Sequence, residues 1–138
     1  MQLLKWDGHV HSPYCPHGTK DPLEAYIERA LEQGLERISF TEHAPLPEGV
    51  TDPAPDNDSG MSFATADAYL KELTQLRETY KNQIDIRIGM EFDYWEGHVD
   101  GTRDIIARYA DVLTDGILSL HYLLSLIHIS EPTRLSTI

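Results

Sequence analysis

At 138 residues the chain has the length of one domain, and a 41% hydrophobic share is ordinary for a globular protein able to bury a core. A formal net charge of −12 with a pI of about 4.8 argues against nucleic acid as a partner, because binding a polyanion relies on a basic surface that displaces counterions. A small phosphate ester remains compatible, since bound divalent cations reverse the local sign of a site whatever the net charge.

Cys15 is the only cysteine, so no internal disulfide can form, which fits a reducing compartment. The start, Met-Gln-Leu-Leu-Lys-Trp-Asp, reaches a charge too early for the apolar stretch of a signal peptide. No segment is long and apolar enough to span a bilayer. The expectation is a cytoplasmic protein with no membrane partner; its oligomeric state is left open.

In chain order, residues 3–7 read as a short strand, followed by a loop rich in Gly, Pro and His up to Lys20. A helix then opens, with Asp21 expected at the N-cap, Pro22 at the first position, Glu24 at the third, and Gly34 at its end. Leu23, Tyr26, Ile27, Ala30 and Leu31 fall on one face of it. Residues 36–40 read as a second strand ending at Thr41-Glu42-His43, and an acidic, Pro-rich loop runs on to about Ala64. Ala66, Tyr69, Leu70, Leu73, Leu76 and Tyr80 mark the next helix. Ile84, Ile86, Ile88 and Met90 alternate through a third strand, placing Arg87, Gly89 and Glu91 on its opposite face. Ile105, Ile106 and Tyr109 suggest a third helix and residues 116–121 a fourth strand. This alternation is the pattern of a parallel sheet wrapped by helices, in which chemistry gathers at the C-terminal ends of the strands.

The candidate residues fall at those ends. His9 and His11 form a His-x-His pair whose period-two spacing points both rings to one side, where they can share a cation, and Asp7 has the parity to orient one of the rings. His17 lies in the following loop, His43 ends the second strand, Glu91 the third and His121 the fourth. Singly, each has an unremarkable reading as a loop, capping or core residue. A parallel barrel, however, brings all these ends to one mouth. His98 is read as a loop histidine, Cys15 as structural, and Trp6, Phe40 and Phe92 as core aromatics, with Phe92 and Trp95 close enough to Glu91 to line a pocket. The acidic run 52–58 is read as a solvated loop, with a lid suited to a cationic substrate as the alternative. Arg37, Arg87 and Arg103 are too loosely placed to choose a phosphate-gripping arginine among them.

Asp7-Gly-His-Val-His11-Ser, Pro16-His17-Gly18, Thr41-Glu42-His43-Ala-Pro, Gly89-Met-Glu91-Phe-Asp-Tyr94 and Ser119-Leu-His121 resemble successive motifs of the polymerase-and-histidinol-phosphatase (PHP) superfamily, in particular its histidinol-phosphate phosphatase branch. The resemblance implies an α/β fold, here the first half of a distorted (β/α)7 barrel, truncated. It also implies up to three divalent cations, Zn, Mn or Fe. By motif position His9, His11 and Glu91 would hold the first, Glu91 would bridge to a second also bound by His121, and His17 and His43 would serve the third. Glu91 and Asp7 form the expected catalytic pair. The implied substrate is a small phosphate monoester, histidinol phosphate. In the implied reaction, water attacks phosphorus in line while cations offset the growing charge.

Residues 124–134, Leu-Ser-Leu-Ile-His-Ile-Ser-Glu-Pro-Thr-Arg, resemble the conceptual translation of a transposon adapter used for sequencing libraries. Residues 1–123 are therefore expected to be the N-terminal part of the phosphatase domain and 124–138 a tail foreign to the fold, so that His128 is no ligand candidate. A (β/α) barrel commonly needs about 250 residues, and a sheet of about four strands keeps edges that normally pair. The 138-residue polypeptide alone is expected to be marginally stable and weakly active or inactive. Two alternatives stand beside the main reading: a PHP phosphoesterase of another specificity, and a metal-binding fragment without catalysis.

Overall fold

A computed structural model describes residues 3–122. Four strands alternate with three helices: β1 (Trp6–Val10), α1 (Leu23–Glu32), β2 (Arg37–His43), α2 (Phe63–Tyr80), β3 (Asp85–Asp93), α3 (Val99–Tyr109) and β4 (Ile117–Ser119). The strands are all parallel and lie side by side in chain order. The proposed tail 124–138 and His128 lie outside the described residues.

The pleat of β2 and β3 sorts their side chains into two layers. Ile38, Phe40, Ile86, Ile88, Met90 and Phe92 join one apolar cluster with Leu23, Ile27 and Ala30 of α1, six residues of α2, and Ile105 and Tyr109 of α3. The alternate residues pair across the strands as Arg37↔Asp85, Ser39↔Arg87, Thr41↔Gly89 and His43↔Glu91, and form a polar face. There Asp85 accepts from Arg37 Nε at 2.7 Å and Arg87 Nε at 3.1 Å, and Ser39 Oγ accepts from Trp6 Nε1 at 2.9 Å while donating to Asp115 at 2.5 Å. All three helices thus share one core on one side of the sheet, as in a barrel wall and unlike a doubly wound sheet, which is covered on both faces.

Local chemistry explains most boundaries. Ser62 caps α2 by accepting the Thr65 N–H at 3.1 Å. Gly34, at φ +71°, lets the chain leave α1 through the Leu35 N–H to Ala30 C=O bond. Gly89 is required because a Cβ there would come within 3.0 Å of Asp115 O and of the Thr41 methyl, in a place where β3 and the approach to β4 pack backbone to backbone.

Three expectations are corrected. The first strand lies at Trp6–Val10, not at residues 3–7: pairing of Trp6 with Arg37 and Asp7 with Ile38 sets its register, and Leu3 and Leu4, which suggested the earlier start, are exposed. Asp21 does not cap α1; Pro22 occupies the N-cap with extended ψ, and Asp21, one residue too early, accepts the Thr19 hydroxyl. Trp6 is not a core aromatic, since its ring lies half-exposed on the polar face, 5.4 Å below the Arg37 guanidinium.

Tyr69 ties α2 to both central strands. Its buried hydroxyl donates to Gly89 C=O at 2.9 Å and accepts the Glu42 N–H at 3.3 Å. Tyr69→Phe leaves both backbone groups short of a partner and is expected to lower stability by about 1–3 kcal/mol, read as a reduced urea midpoint with an unchanged denaturant slope.

Candidate metal centre

The strand ends converge on one carboxylate. Glu91, at the seventh position of β3, is 3% exposed. Its Oε2 lies 3.2 Å from His9 Nε2, 3.4 Å from His11 Nε2 and 3.5 Å from His43 Nδ1, and its Oε1 lies 3.6 Å from His121 Nε2 and accepts from the Ser119 hydroxyl. Strand period explains the convergence: β1 and its extension bring up His9 and His11, β2 ends at His43 opposite Glu91, and His121 follows β4 with the parity of Ser119. Burial alone would raise the Glu91 carboxyl; the Ser119 hydrogen bond and the neighbouring histidines His43, His9 and His121 outweigh it and hold the group below its usual value.

The donor set fits a cation. His9 Nε2 and His11 Nε2 are 3.2 Å apart, and with Glu91 Oε2 they form a triangle with edges of 3.2–3.4 Å. Tetrahedral ligands about 2.0–2.1 Å from a zinc-like ion stand roughly 3.3 Å from one another. Two imidazole nitrogens facing one carboxylate oxygen at this spacing are satisfied together by one cation, whereas a single proton could bridge only two of the three. His43 Nδ1 is buried and without a hydrogen-bond partner. Burial, ahead of the raising influence of Glu91, lowers the His43 pKa and favours the neutral imidazole that a metal requires.

Each of two rings is fixed by a carboxylate behind it. Glu42 Oε1 stands 2.9 Å from His11 Nδ1, while its Oε2 accepts the Ser12 N–H at 2.8 Å and the Ser12 hydroxyl at 2.6 Å. Burial opposes the Glu42 charge, yet the hydrogen bonds from His11, Ser12 and the His43 N–H prevail and bring its pKa down to about 2. The Glu42 hydrogen bond raises the His11 pKa against the effect of burial. A charged Glu42 therefore keeps the His11 proton on Nδ1 and leaves the Nε2 lone pair aimed at the cluster. Asp93 does the same for His121 through Nδ1, although burial pushes the Asp93 carboxyl up despite the imidazole beside it.

Asp7, expected to orient a ring, instead accepts the backbone N–H of His9 at 3.3 Å, at the exposed start of β1. The ring-orienting residues are Glu42 and Asp93. Their signal was a carboxylate placed where strand alternation calls for burial: Glu42 has the parity of Ile38 and Phe40, and Asp93 ends an almost wholly buried strand. His17 stands apart from Glu91, with Nε2 at 3.0 Å from Asp58 and its ring 6.5 Å from that of His43. His98 sits at the N-cap of α3 against Gly49, outside the cluster. Arg37 and Arg87 are engaged with Asp85 and Arg103 with Asp100. Cys15 is buried near His11, Glu42 and His43, where burial raises its thiol pKa. A cleft of about 440 Å³ opens beside the histidines, walled by His17, His43, His121, the 54–59 loop and Tyr122.

A family profile described as PHP domain matches residues 7–135. Histidinol-phosphatase of Bacillus subtilis is 46% identical over 121 residues, which cover 88% of this chain and 45% of that protein. A crystal structure from Listeria monocytogenes, provisionally assigned as a histidinol phosphatase, matches with a TM-score of 0.78 and 35% identity over 86% of this chain and 46% of the other. Histidinol phosphate phosphatase from Lactococcus lactis, solved with Zn, L-histidinol and phosphate, matches with a TM-score of 0.65 and 26% identity over 89% and 42% of the two chains. The chain spans less than half the length of these relatives.

Glu42→Gln keeps the shape of the side chain but removes the charge that fixes the His11 tautomer. It is expected to weaken divalent-metal binding about 10–100-fold in a chromophoric-chelator competition, with the far-UV circular dichroism unchanged.

Proposed function

Because this chain belongs to the PHP domain family, its four parallel strands forming the first half of a distorted (β/α)7 barrel, we propose that the full-length protein hydrolyses L-histidinol phosphate to L-histidinol and phosphate, a step of histidine biosynthesis. The observation that carries this reading is the convergence of His9, His11, His43 and His121 on the two oxygens of buried Glu91. The naming of Bacillus and Lactococcus relatives as histidinol phosphatases supports the substrate.

In this proposal His9, His11 and Glu91 hold one cation, Glu91 shares a second with His121, and His17 and His43 serve a third. The ions are Zn, Mn or Fe, with Zn favoured by its presence in the Lactococcus structure. When bound, such ions supply Lewis acidity toward the phosphoryl oxygens and lower the pKa of a water that attacks phosphorus.

The chain's own residues prepare that chemistry. Glu91 presents one oxygen to the His9 and His11 pair and the other to His121, so a single rigid strand end sets the separation of two sites. Glu42 and Asp93 hold protons on the rear nitrogens of His11 and His121, leaving the forward nitrogens as lone-pair donors. The Ser119 hydroxyl donates to Glu91 Oε1 and restrains its rotation. We assign Asp7 to the catalytic set as a positioning residue, through the N–H of His9.

No helix of the described residues is long and apolar enough to cross a membrane, and we place the enzyme in the cytoplasm. We also propose that residues 1–123 are the phosphatase segment and 124–138 a tail foreign to it, which the genomic sequence downstream of the Tyr122 codon will test by showing whether a native continuation exists. A metal-binding fragment without turnover is the second reading, favoured by the chain's span of less than half its relatives.

Full-length, zinc-loaded protein is expected to release phosphate from L-histidinol phosphate, to stop on treatment with EDTA and to recover with added divalent metal, as read by a colorimetric phosphate assay. Glu91→Gln is expected to lower kcat about a thousandfold, on the order seen when a principal electrostatic group is removed from a site. Metal binding without turnover in the full-length protein would favour the second reading.

A further inference from the structure

The turn that follows His11 is tied to α2 by a tyrosine and a glutamate that the hydrolytic chemistry does not use. Tyr14 lies between β1 and α1, and its hydroxyl donates to Glu72 of α2. Glu72 stands three residues after Tyr69, on the same side of the helix. The Tyr14 ring meets the Tyr69 ring edge to face, with centroids 5.7 Å apart and planes at 72°. Burial, aided by the Glu72 carboxylate, pushes the Tyr14 hydroxyl pKa up to about 12, so the group remains a proton donor.

The turn itself is closed by its own bonds. Ser12 C=O accepts the Cys15 N–H at 3.0 Å, Cys15 C=O accepts the Gly18 N–H at 3.2 Å, and Cys15 Sγ accepts the His17 N–H at 3.4 Å. Gly18 packs so closely on the Ser12 carbonyl that a Cβ there would come within 2.5 Å of its oxygen. The Tyr14 N–H donates to Ser12 Oγ at 3.2 Å, which leaves that hydroxyl its own proton for Glu42 Oε2. Residues 12–18 therefore move as one unit, with His11 and its Glu42 support at one end and His17 near the other. Ser12 anchors the unit to β2 through Glu42, and Tyr14 anchors it to α2 through Glu72. The His17–Asp58 pair adds a contact to a loop rather than to a strand or helix. Two anchors on two rigid elements fix an orientation that one would leave free to pivot.

We infer that Tyr14 is a positioning residue of the metal centre, acting with Glu72 as a strut from α2 that holds the 12–18 turn, and through it His11 and His17, at the strand ends. The inference rests on the reading of His9, His11 and Glu91 as one cation site and of His17 as a ligand in another. Its effect reaches His11 through Ser12 and Glu42, and His17 through the backbone of the turn. A group directly behind a metal ligand carries about 10–100-fold in metal affinity; a strut one step further back carries less. Tyr80 supplies the matching bond away from the site, because it donates to Glu28 of α1 at 2.7 Å from the last turn of the same helix.

The test is the zinc affinity of the full-length protein, measured by competition with a chromophoric chelator at a temperature where far-UV circular dichroism shows each variant folded. Tyr14→Phe and Glu72→Ala are each expected to weaken zinc about three- to tenfold. The double variant should fall no more than about twofold below either single one, since both remove the same bond. Tyr80→Phe, which loses an equivalent tyrosine–glutamate bond, should stay within about twofold of wild type. Wild-type affinity in Tyr14→Phe or Glu72→Ala, equal weakening by Tyr80→Phe, or multiplied effects in the double variant overturns the strut while leaving the metal centre intact. Should Tyr14→Phe fail to fold, Glu72→Ala decides alone, at a helix position where alanine is favourable. A wild-type protein that binds no zinc overturns both the strut and the metal centre.

Discussion

The site depends on a carboxylate that is buried but not left alone. Glu91 lies beneath a polar rim with four imidazoles within 3.6 Å of its oxygens and a serine hydroxyl donating to it. Isolating a carboxylate from water costs several kcal/mol unless it is paired and hydrogen-bonded. An imidazole that turns a lone pair toward a carboxylate cannot stabilise it, and three imidazoles turn nitrogens toward the same oxygen. A divalent cation satisfies His9, His11 and the Glu91 oxygen between them at once, so the arrangement that protein atoms alone balance least well is the one best suited to a metal. The chemistry of the family and the electrostatics of the fold meet at this residue.

The fold makes that arrangement possible by keeping the two sides of the sheet distinct. Among the described residues, helices cover only the face carrying Ile38, Phe40, Ile86, Ile88 and Met90, so the opposite face is free to carry charge. Along it the Arg37–Asp85–Arg87 group lies at the start of the strands, the Trp6–Ser39–Asp115 chain in the middle and the histidine cluster at the end. Tyr69 crosses from the helix layer to bond the strand backbone just below the cluster. Apolar packing on one side thereby fixes the positions of polar atoms on the other.

Much of this was legible in the sequence. Strand and helix order followed from periodicity, and the six apolar positions that marked α2 are all buried. His9, His11, His43, Glu91 and His121 stand out because parallel topology brings strand ends together, and the four imidazoles lie within 3.6 Å of the Glu91 oxygens. The first strand was misplaced because Leu3 and Leu4 resemble strand residues, while pairing with β2 decides the register. Asp7 was given the task that Glu42 and Asp93 perform. Sequence parity can say which side of a strand a residue occupies, but not which of several carboxylates reaches the back of a given ring. That is decided by loop closure, here by Ser12, which binds Glu42 through its N–H and hydroxyl while its C=O accepts the Cys15 N–H of the turn that follows. The composition of the acidic loop suggests a solvated segment, yet Asp52 folds it inward and Asp58 meets His17.

The central claim is that Glu91 and the histidines around it form a metal centre rather than a proton-linked polar cluster. Crystals of zinc-loaded protein, with diffraction measured on both sides of the zinc absorption edge, test it most directly. The account predicts an anomalous peak bonded to His9 Nε2, His11 Nε2 and a Glu91 oxygen at about 2.0–2.1 Å. It would be contradicted by zinc bound elsewhere with these three side chains still in direct contact with one another.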